Sequence, residues 1–377
     1  MKMAKTNRED LDVSEAKNHG GPPYAYAFLV GGADPAVPES YLPYFYNIAI
    51  ATKILREKGS KADVIVLYQN KRGIKATHLP RNHMKMLFQL GVNVYTIPET
   101  TGTTSESFYR TQMDKFRILG LTQYRKIMYL DTDVMPTGNL DKVFELSDNG
   151  TLMENIIFRG DNVPARGAHF VLTPGPGKLE ALQEILDRRQ AQSRSMTKPW
   201  FDEHAGWGHN FTDDDPWIAY TKRGTSWSFY AAYADQGLLL YYTKYFLKSV
   251  TIFVPGGKHE NWEVPSGQSD GKLQMTQKAV NWFQGVDMNC SSFKTQPRHR
   301  WLSLPEKCLE HFFNDNKPWI KGPPEDFGKN TSFASARHHW FANLRLLNDE
   351  LGLGLDFKHW QMKKPNLGFY PIQHTRD

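Results

Sequence analysis

A recurring rhythm of short apolar runs separated by helical patterns constrains this chain more than any other feature. Tyr24-Ala-Tyr-Ala-Phe-Leu-Val30 is apolar nearly throughout, as a strand buried on both faces must be. Gly31-Gly-Ala-Asp34 ends it, and a helix is predicted over Glu39–Glu57, with Ile48, Ala51, Ile54 and Leu55 on its apolar face. Gly59 lies just past that helix. Asp63–Tyr68 is a second buried strand, His83–Leu90 a helix and Asn93–Ile97 a third strand. The helix closing at Phe116–Leu121 carries Lys115 and Arg117, and Lys126–Leu130 is the next apolar strand. His169–Leu172 follows as a strand and Leu179–Arg188 as an amphipathic helix. Strands alternating with helices predict an α/β domain with a mostly parallel sheet and helices on both faces.

The rest of the chain departs from that rhythm. Residues 1–23 are charged, aperiodic and close on Gly-Gly-Pro-Pro, so they read as a flexible arm. Residues 190–232, rich in Trp, His, Gly and Asp, read as an insertion with short elements inside it, because a structureless loop of that length is unusual in a compact domain. Helix returns over Asp235–Leu247, residues 255–273 read as a Gly-rich loop, and residues 333–350 hold a final helix. No linker divides the chain, so one catalytic-size domain over 24–320 is expected, with 321–377 as an extension packed on it.

Composition excludes several classes. Lys and Arg number 46 against 40 Asp and Glu, and a net charge of +6 over 377 residues is too weak for a nucleic-acid footprint. No run of eighteen apolar residues is present, so no membrane span is expected. Only Cys290 and Cys308 occur, which rules out a disulfide framework and any site built from four cysteines. Val30-Gly-Gly-Ala-Asp34 lacks the glycine spacing of a dinucleotide-binding turn.

The chemistry concentrates at Asp131-Thr-Asp133, directly after the apolar strand Lys126–Leu130. Open parallel sheets bind ligands beyond the carboxyl ends of their strands. Two carboxylates so close repel when both are ionised, and a hard divalent cation relieves that while holding phosphate oxygens. A solvated acidic turn is the plain alternative. Phosphatase chemistry of the dehalogenase-like kind fits poorly, because Val134-Met-Pro136 follows instead of a Gly-Thr pair and the motif lies deep in the chain. Asp213-Asp-Asp215, before Pro216, reads as a wet turn or a helix cap rather than a cation site.

At these residues the chain resembles the glycogenin-like members of glycosyltransferase family 8. The resemblance rests on Lys115-Phe-Arg117 with Leu121–Asp133 and Leu140-Asp-Lys-Val-Phe144, on Ala234-Asp-Gln-Gly-Leu238, and on His311-Phe-Phe-Asn-Asp-Asn-Lys-Pro-Trp319, three motifs in the family's order. It implies a nucleotide-sugar-binding fold of the GT-A type, Rossmann-like, and transfer of a hexose or related sugar from a UDP-sugar to a hydroxyl acceptor with retention. It also implies Mn²⁺, with Mg²⁺ as a substitute, held by Asp131, Asp133 and His311. Lys317 is then expected at the diphosphate, and Lys115, Asp235 and Gln236 around the donor sugar as the catalytic group. Leu29, Val30 and Tyr41 are expected near the uracil and ribose, together with Asp131.

Departures from the family bear on the sugar. Arg166-Gly-Ala168 stands where the family carries Asn-Ser-Gly, which puts Arg166 beside the donor, and Ala232 replaces a second acidic residue. Asn314 stands where the last motif carries glycine, and no acceptor tyrosine of the self-glucosylating kind is recognisable. Trp200, Trp207, Trp217 and Trp227 read equally as an acceptor pocket or as a small core of the insertion. A non-catalytic protein that kept the fold to bind sugars is the competing class. Asn210-Phe-Thr, Asn289-Cys-Ser and Asn330-Thr-Ser have the form of glycosylation acceptors, and the compartment stays open between a Golgi lumen, with the anchor removed, and the cytoplasm.

Overall fold

In a computed structural model the chain is described over residues 4–5, 23–71, 74, 79–98, 112–146, 152–154, 156–158, 161–163, 167–194, 201–211, 226–227, 229, 232–247, 251–255, 301–304, 309–312, 317–325 and 336–360. The strands are β1 (Ala4–Lys5), β2 (Tyr24–Ala33), β3 (Asp63–Asn70), β4 (Asn93–Thr96), β5 (Lys126–Leu130), β6 (Val134–Pro136), β7 (Leu152–Glu154), β8 (Ile156–Phe158), β9 (Asp161–Val163), β10 (His169–Leu172), β11 (Thr251–Pro255), β12 (Trp301–Leu304) and β13 (Leu309–His311). The helices are α1 (Leu42–Glu57), α2 (Arg81–Gln89), α3 (Asp141–Leu146), α4 (Lys178–Arg194), α5 (Asp235–Leu240), α6 (Pro318–Lys321) and α7 (Ala336–Leu351).

The central sheet runs β1-β4-β3-β2-β5-β10-β7-β11-β12. β4, β3, β2 and β5 are mutually parallel, and β10 is antiparallel to both of its neighbours. The α/β class and the mostly parallel sheet are therefore as the apolar rhythm predicted. Burial explains why those runs show no alternation. Along β2, Tyr26, Phe28 and Val30 enter the core layered by α1, α2 and α7, while Ala25, Ala27 and Leu29 enter the opposite layer with α4 and α5. Both faces are covered, so both sets of positions are apolar.

Element ends moved for identifiable reasons. β2 continues through Gly31-Gly-Ala33 because the ladder slips at a bulge, with Gly32 at φ +70° in the left-handed region. α1 starts at Leu42 rather than Glu39; Pro38–Ser40 is a separate 3-10 turn. Pro43 lies in the first turn of α1, where its missing N–H costs nothing; a helix begun at Glu39 would carry it inside. The segment bearing Lys115 is a 3-10 helix, Asp114–Gly120, and its three-residue period brings the Arg117 Nε to 2.6 Å from the Asp114 Oδ1. The helix expected over Asp235–Leu247 is α only to Leu240; Tyr241–Phe246 forms a π turn, where the Thr243 hydroxyl donates to the Leu239 carbonyl at 2.7 Å.

Of the arm at 1–23, Ala4–Lys5 pair antiparallel with β4 at the sheet edge. In the insertion, the described indoles of Trp207 and Trp227 are buried and donate to the carbonyls of Ala232 and His209; they join the main core layer on the α4 and α5 face of the sheet rather than a separate core of the insertion. Trp200, Trp217, Asp213–Asp215, Cys290 and Cys308 lie outside the described residues. α7, in the C-terminal stretch, lies against α1, where Lys53 pairs with Glu350. Among the described residues no helix is long and apolar enough to cross a membrane.

Candidate functional site

Asp131 and Asp133 sit where β5 leaves the sheet and the chain turns into β6. The turn is closed by the Val134 amide donating to the Asp131 carbonyl at 2.9 Å, while the Asp131 amide donates to Ala168 at 2.7 Å. β6 then pairs antiparallel with β13, with His311 opposite Val134. That ladder, too short to register as an apolar pattern, delivers the distant histidine to the strand end. The Phe312 amide donates to the Asp133 carbonyl at 2.9 Å and continues the pairing. One ligating atom each from Asp131, Asp133 and His311 lies within 4.8 Å of the other two. His311 Nε2 is 3.3 Å from Asp133 Oδ1.

Two ammonium groups flank this trio. The Lys317 ammonium donates to Asp133 Oδ2 and, at 3.0 Å, to the Phe312 carbonyl. Burial alone would raise the Asp133 carboxyl; the Lys317 charge and the His311 contact outweigh it and hold the group well below the ordinary carboxylate range. On the other side Lys115 is only 1% exposed, and its ammonium donates to Asp235 at 2.7 Å, to the Gly167 carbonyl at 3.0 Å and to Asp131 at 3.4 Å. Burial works against that charge, but Asp131 and Asp235 win and raise the ammonium above its ordinary value. The Tyr129 hydroxyl donates to Asp131 Oδ1 at 2.9 Å, and burial with the adjacent Asp131 charge raises that phenol strongly. Asp235 does not cap α5, since the N-cap is Ala234 and makes no side-chain bond; the carboxylate turns to Lys115 instead.

Gln236 presents a different signal. Among the described residues its buried Oε1 meets no hydrogen-bond partner. A buried amide oxygen left so costs about 1–3 kcal/mol unless a ligand or water meets it. Gly167 closes the gap beside it: a Cβ there would stand 2.0 Å from Asp235 Oδ2 and 3.4 Å from Gln236 Cγ, so only glycine allows the β10 entry to approach α5 this closely.

Six expected residues thus form two polar clusters, Asp235–Lys115–Asp131 and His311–Asp133–Lys317, which meet where ligating atoms of Asp131, Asp133 and His311 lie within 4.8 Å of one another; Gln236 stands beside the first. Leu29 and Val30 are buried near the end of β2, on opposite faces. Tyr41 is fully buried in the core against Phe45, with its hydroxyl 2.5 Å from His83 Nδ1; burial pushes that phenol up to about 12. Arg166 lies outside the described residues. The sequence did not single out Tyr129, Gly167 or Asn47, whose side-chain amide donates to the Thr132 and Val134 carbonyls on either side of Asp133. Asn47 left a trace: it is a lone amide among the apolar residues of α1.

Among the described residues, three carboxylates meet two ammonium groups here, one positive charge short of balance. A divalent cation would reverse that sign and make the site attractive to a diphosphate. Two carboxylates with one imidazole form a donor set able to hold a divalent cation.

No family model matches the chain. Curated relatives include galactinol synthase 7 and galactinol synthase 2 of Arabidopsis thaliana, each 29% identical over 149 and 150 residues respectively, 38% of this chain and 40% of the relative. The chain therefore spans about two fifths of the length of the curated relatives it matches. Among solved structures, the glycosyltransferase GlyE of Streptococcus pneumoniae TIGR4 aligns over 88% of this chain and 63% of its own, at 15% identity and TM-score 0.41. The galactosyltransferase LgtC, in complex with donor and acceptor sugar analogs, aligns over 87% and 99% at 12% identity and TM-score 0.38. Fold and site are those of an α/β chain with an Asp-x-Asp candidate cation site at a strand end. The galactinol synthases, family 8 glycosyltransferases, join the three motifs: this chain is similar to that family.

Proposed function

We propose that this chain is a metal-dependent, retaining glycosyltransferase that moves a hexose or related sugar from a UDP-sugar to a hydroxyl acceptor. The observation that carries the reading is the convergence of Asp131, Asp133 and His311 on one point between the Lys115 and Lys317 ammonium groups. Asp131, Asp133 and His311 would hold the cation, which supplies Lewis-acid stabilisation of the diphosphate. Lys317 adds a point charge for the leaving UDP, so departure needs no general acid. The orphaned Gln236 oxygen suits a hydroxyl of the donor sugar.

Retention follows either from a covalent adduct or from front-face attack. Asp235 is held by Lys115 at 2.7 Å, which makes it a poor nucleophile, and Gln236 is a poorer one. Front-face attack, with the departing phosphate taking the acceptor proton, is the better fit. A glycosyl adduct trapped on Asp235 would reject it.

The competing reading, a non-catalytic sugar-binding protein, rests on Ala232 standing where a second acidic group is expected. Donor hydrolysis separates the two. UDP-glucose, UDP-galactose, UDP-xylose, UDP-glucuronate and the N-acetyl sugars are each incubated with and without Mn²⁺. At least one is expected to release UDP only with the metal. Binding of UDP-sugars without release of UDP from any of them, acceptors included, would favour the non-catalytic class.

A further inference from the structure

We propose that Trp340, acting through Asn47, is a positioning residue for the cation site, so that α7 tunes the affinity of a site whose ligands come from other elements. The inference rests on the cation reading above and deepens it.

Asn47 is fully buried in α1. Its Nδ2 donates twice, to the Thr132 carbonyl and to the Val134 carbonyl, at 3.0 Å each. Those carbonyls bracket Asp133. With the Phe312 amide on the Asp133 carbonyl itself, three consecutive carbonyls are held and the direction in which the Asp133 side chain leaves the backbone is set. The amide can face only one way, because turning it over would set an oxygen against two carbonyl oxygens. What holds it so is Trp340 of α7, whose Nε1 donates to Asn47 Oδ1 at 2.9 Å.

The same indole also touches the other half of the site. Its ring packs at 5.5 Å from that of Trp319, two residues beyond Lys317 in α6. Trp360 then donates from Nε1 to the Trp319 carbonyl at 3.0 Å, and Arg337 donates from its guanidinium to the Gly322 and Pro323 carbonyls. One buried side chain therefore contacts both the group that aims Asp133 and the element that carries Lys317. A purely apolar helix contact would need no indole N–H aimed at an amide. Groups that orient first ligands typically change metal affinity by about 10–100-fold when lost.

The test uses Trp340→Phe, which keeps a ring in the core and removes the N–H, and Asn47→Ala, which removes the amide. Mn²⁺ alone is titrated into the full chain and free metal is read by electron paramagnetic resonance, with thermal unfolding recorded in parallel. Trp340→Phe is expected to weaken Mn²⁺ binding about 10-fold, and adding it to Asn47→Ala should cost little more, since both act along one path. Wild-type Mn²⁺ affinity in folded Trp340→Phe, with only a lower Tm, would overturn the inference and leave the cation site standing. Should Trp340→Phe fail to fold, Asn47→Ser is read in its place, with the same weakening expected and wild-type affinity again overturning the inference. A wild-type chain that binds no Mn²⁺ would overturn both.

Discussion

Replacing Lys115 by methionine is expected to destabilise the fold by about 3–5 kcal/mol, the usual cost of removing one partner from a buried ion pair. Methionine nearly matches the lysine stem in length, so the buried stem is replaced and what is lost is the charge, including the ammonium 5.0 Å over the Tyr129 ring. The cost arises because Asp131, Asp235 and the Gly167 carbonyl all accept from one ammonium group. Without it the buried Asp235 carboxylate loses its charged partner, and the nearby Asp131 charge is no longer offset by the same ammonium. Urea unfolding at neutral pH measures the difference. Its pH dependence follows from the sign of the shift. The Lys115 ammonium is raised above its ordinary value, so its stabilisation is complete below the ordinary lysine range and is lost only as pH rises through the raised value. The gap between the two proteins should therefore be flat over about pH 6–9. A loss under about 1 kcal/mol would place the Lys115 cluster in solvent-like surroundings.

The second large effect concerns Asp133→Asn. If the cation holds the diphosphate, losing a charged ligand should cost on the order of 10³-fold in metal-dependent UDP release, about 4 kcal/mol of transition-state stabilisation. The fold should survive, because asparagine still accepts from Lys317 and the Asp133 backbone contacts to Phe312 and the Asn47 bonds on either side are untouched. Acid titration offers an independent readout. The Asp133 carboxyl is depressed by Lys317 and His311, so it contributes stability above its unfolded value near pH 4 and loses it as pH falls below that. Wild type should therefore lose more stability than Asp133→Asn on acidification below about pH 4. Hydrolysis that persists within about tenfold in the variant would remove the carboxylate from the chemistry.

Much of the fold was legible because it depends on local signals. The strands β2, β3, β5 and β10 are apolar runs, the trace left by a sheet covered on both faces. The Asp-x-Asp turn was visible for the same reason: it follows such a run. His311 was legible only through its motif. Its approach depends on a three-residue ladder with β6, which carries no period of its own. Asn47 and Trp340 stand far apart in sequence and meet only once α7 lies on α1, so nothing local announces the bond. Tyr41 shows the converse. Its position after the first strand suits a base-stacking role, yet the side chain lies in the core beside His83. Trp207 and Trp227 turned inward too, because each indole N–H found a backbone carbonyl within the insertion.

The central claim is that Asp131, Asp133 and His311 hold one divalent cation. Crystals grown with Mn²⁺ and UDP, measured at the manganese absorption edge, test it most directly. The account predicts a single strong anomalous peak about 2.0–2.3 Å from a carboxylate oxygen of each aspartate and from His311 Nε2, with diphosphate oxygens completing the shell. A peak elsewhere, or His311 turned away from a cation held by the aspartates alone, would contradict it.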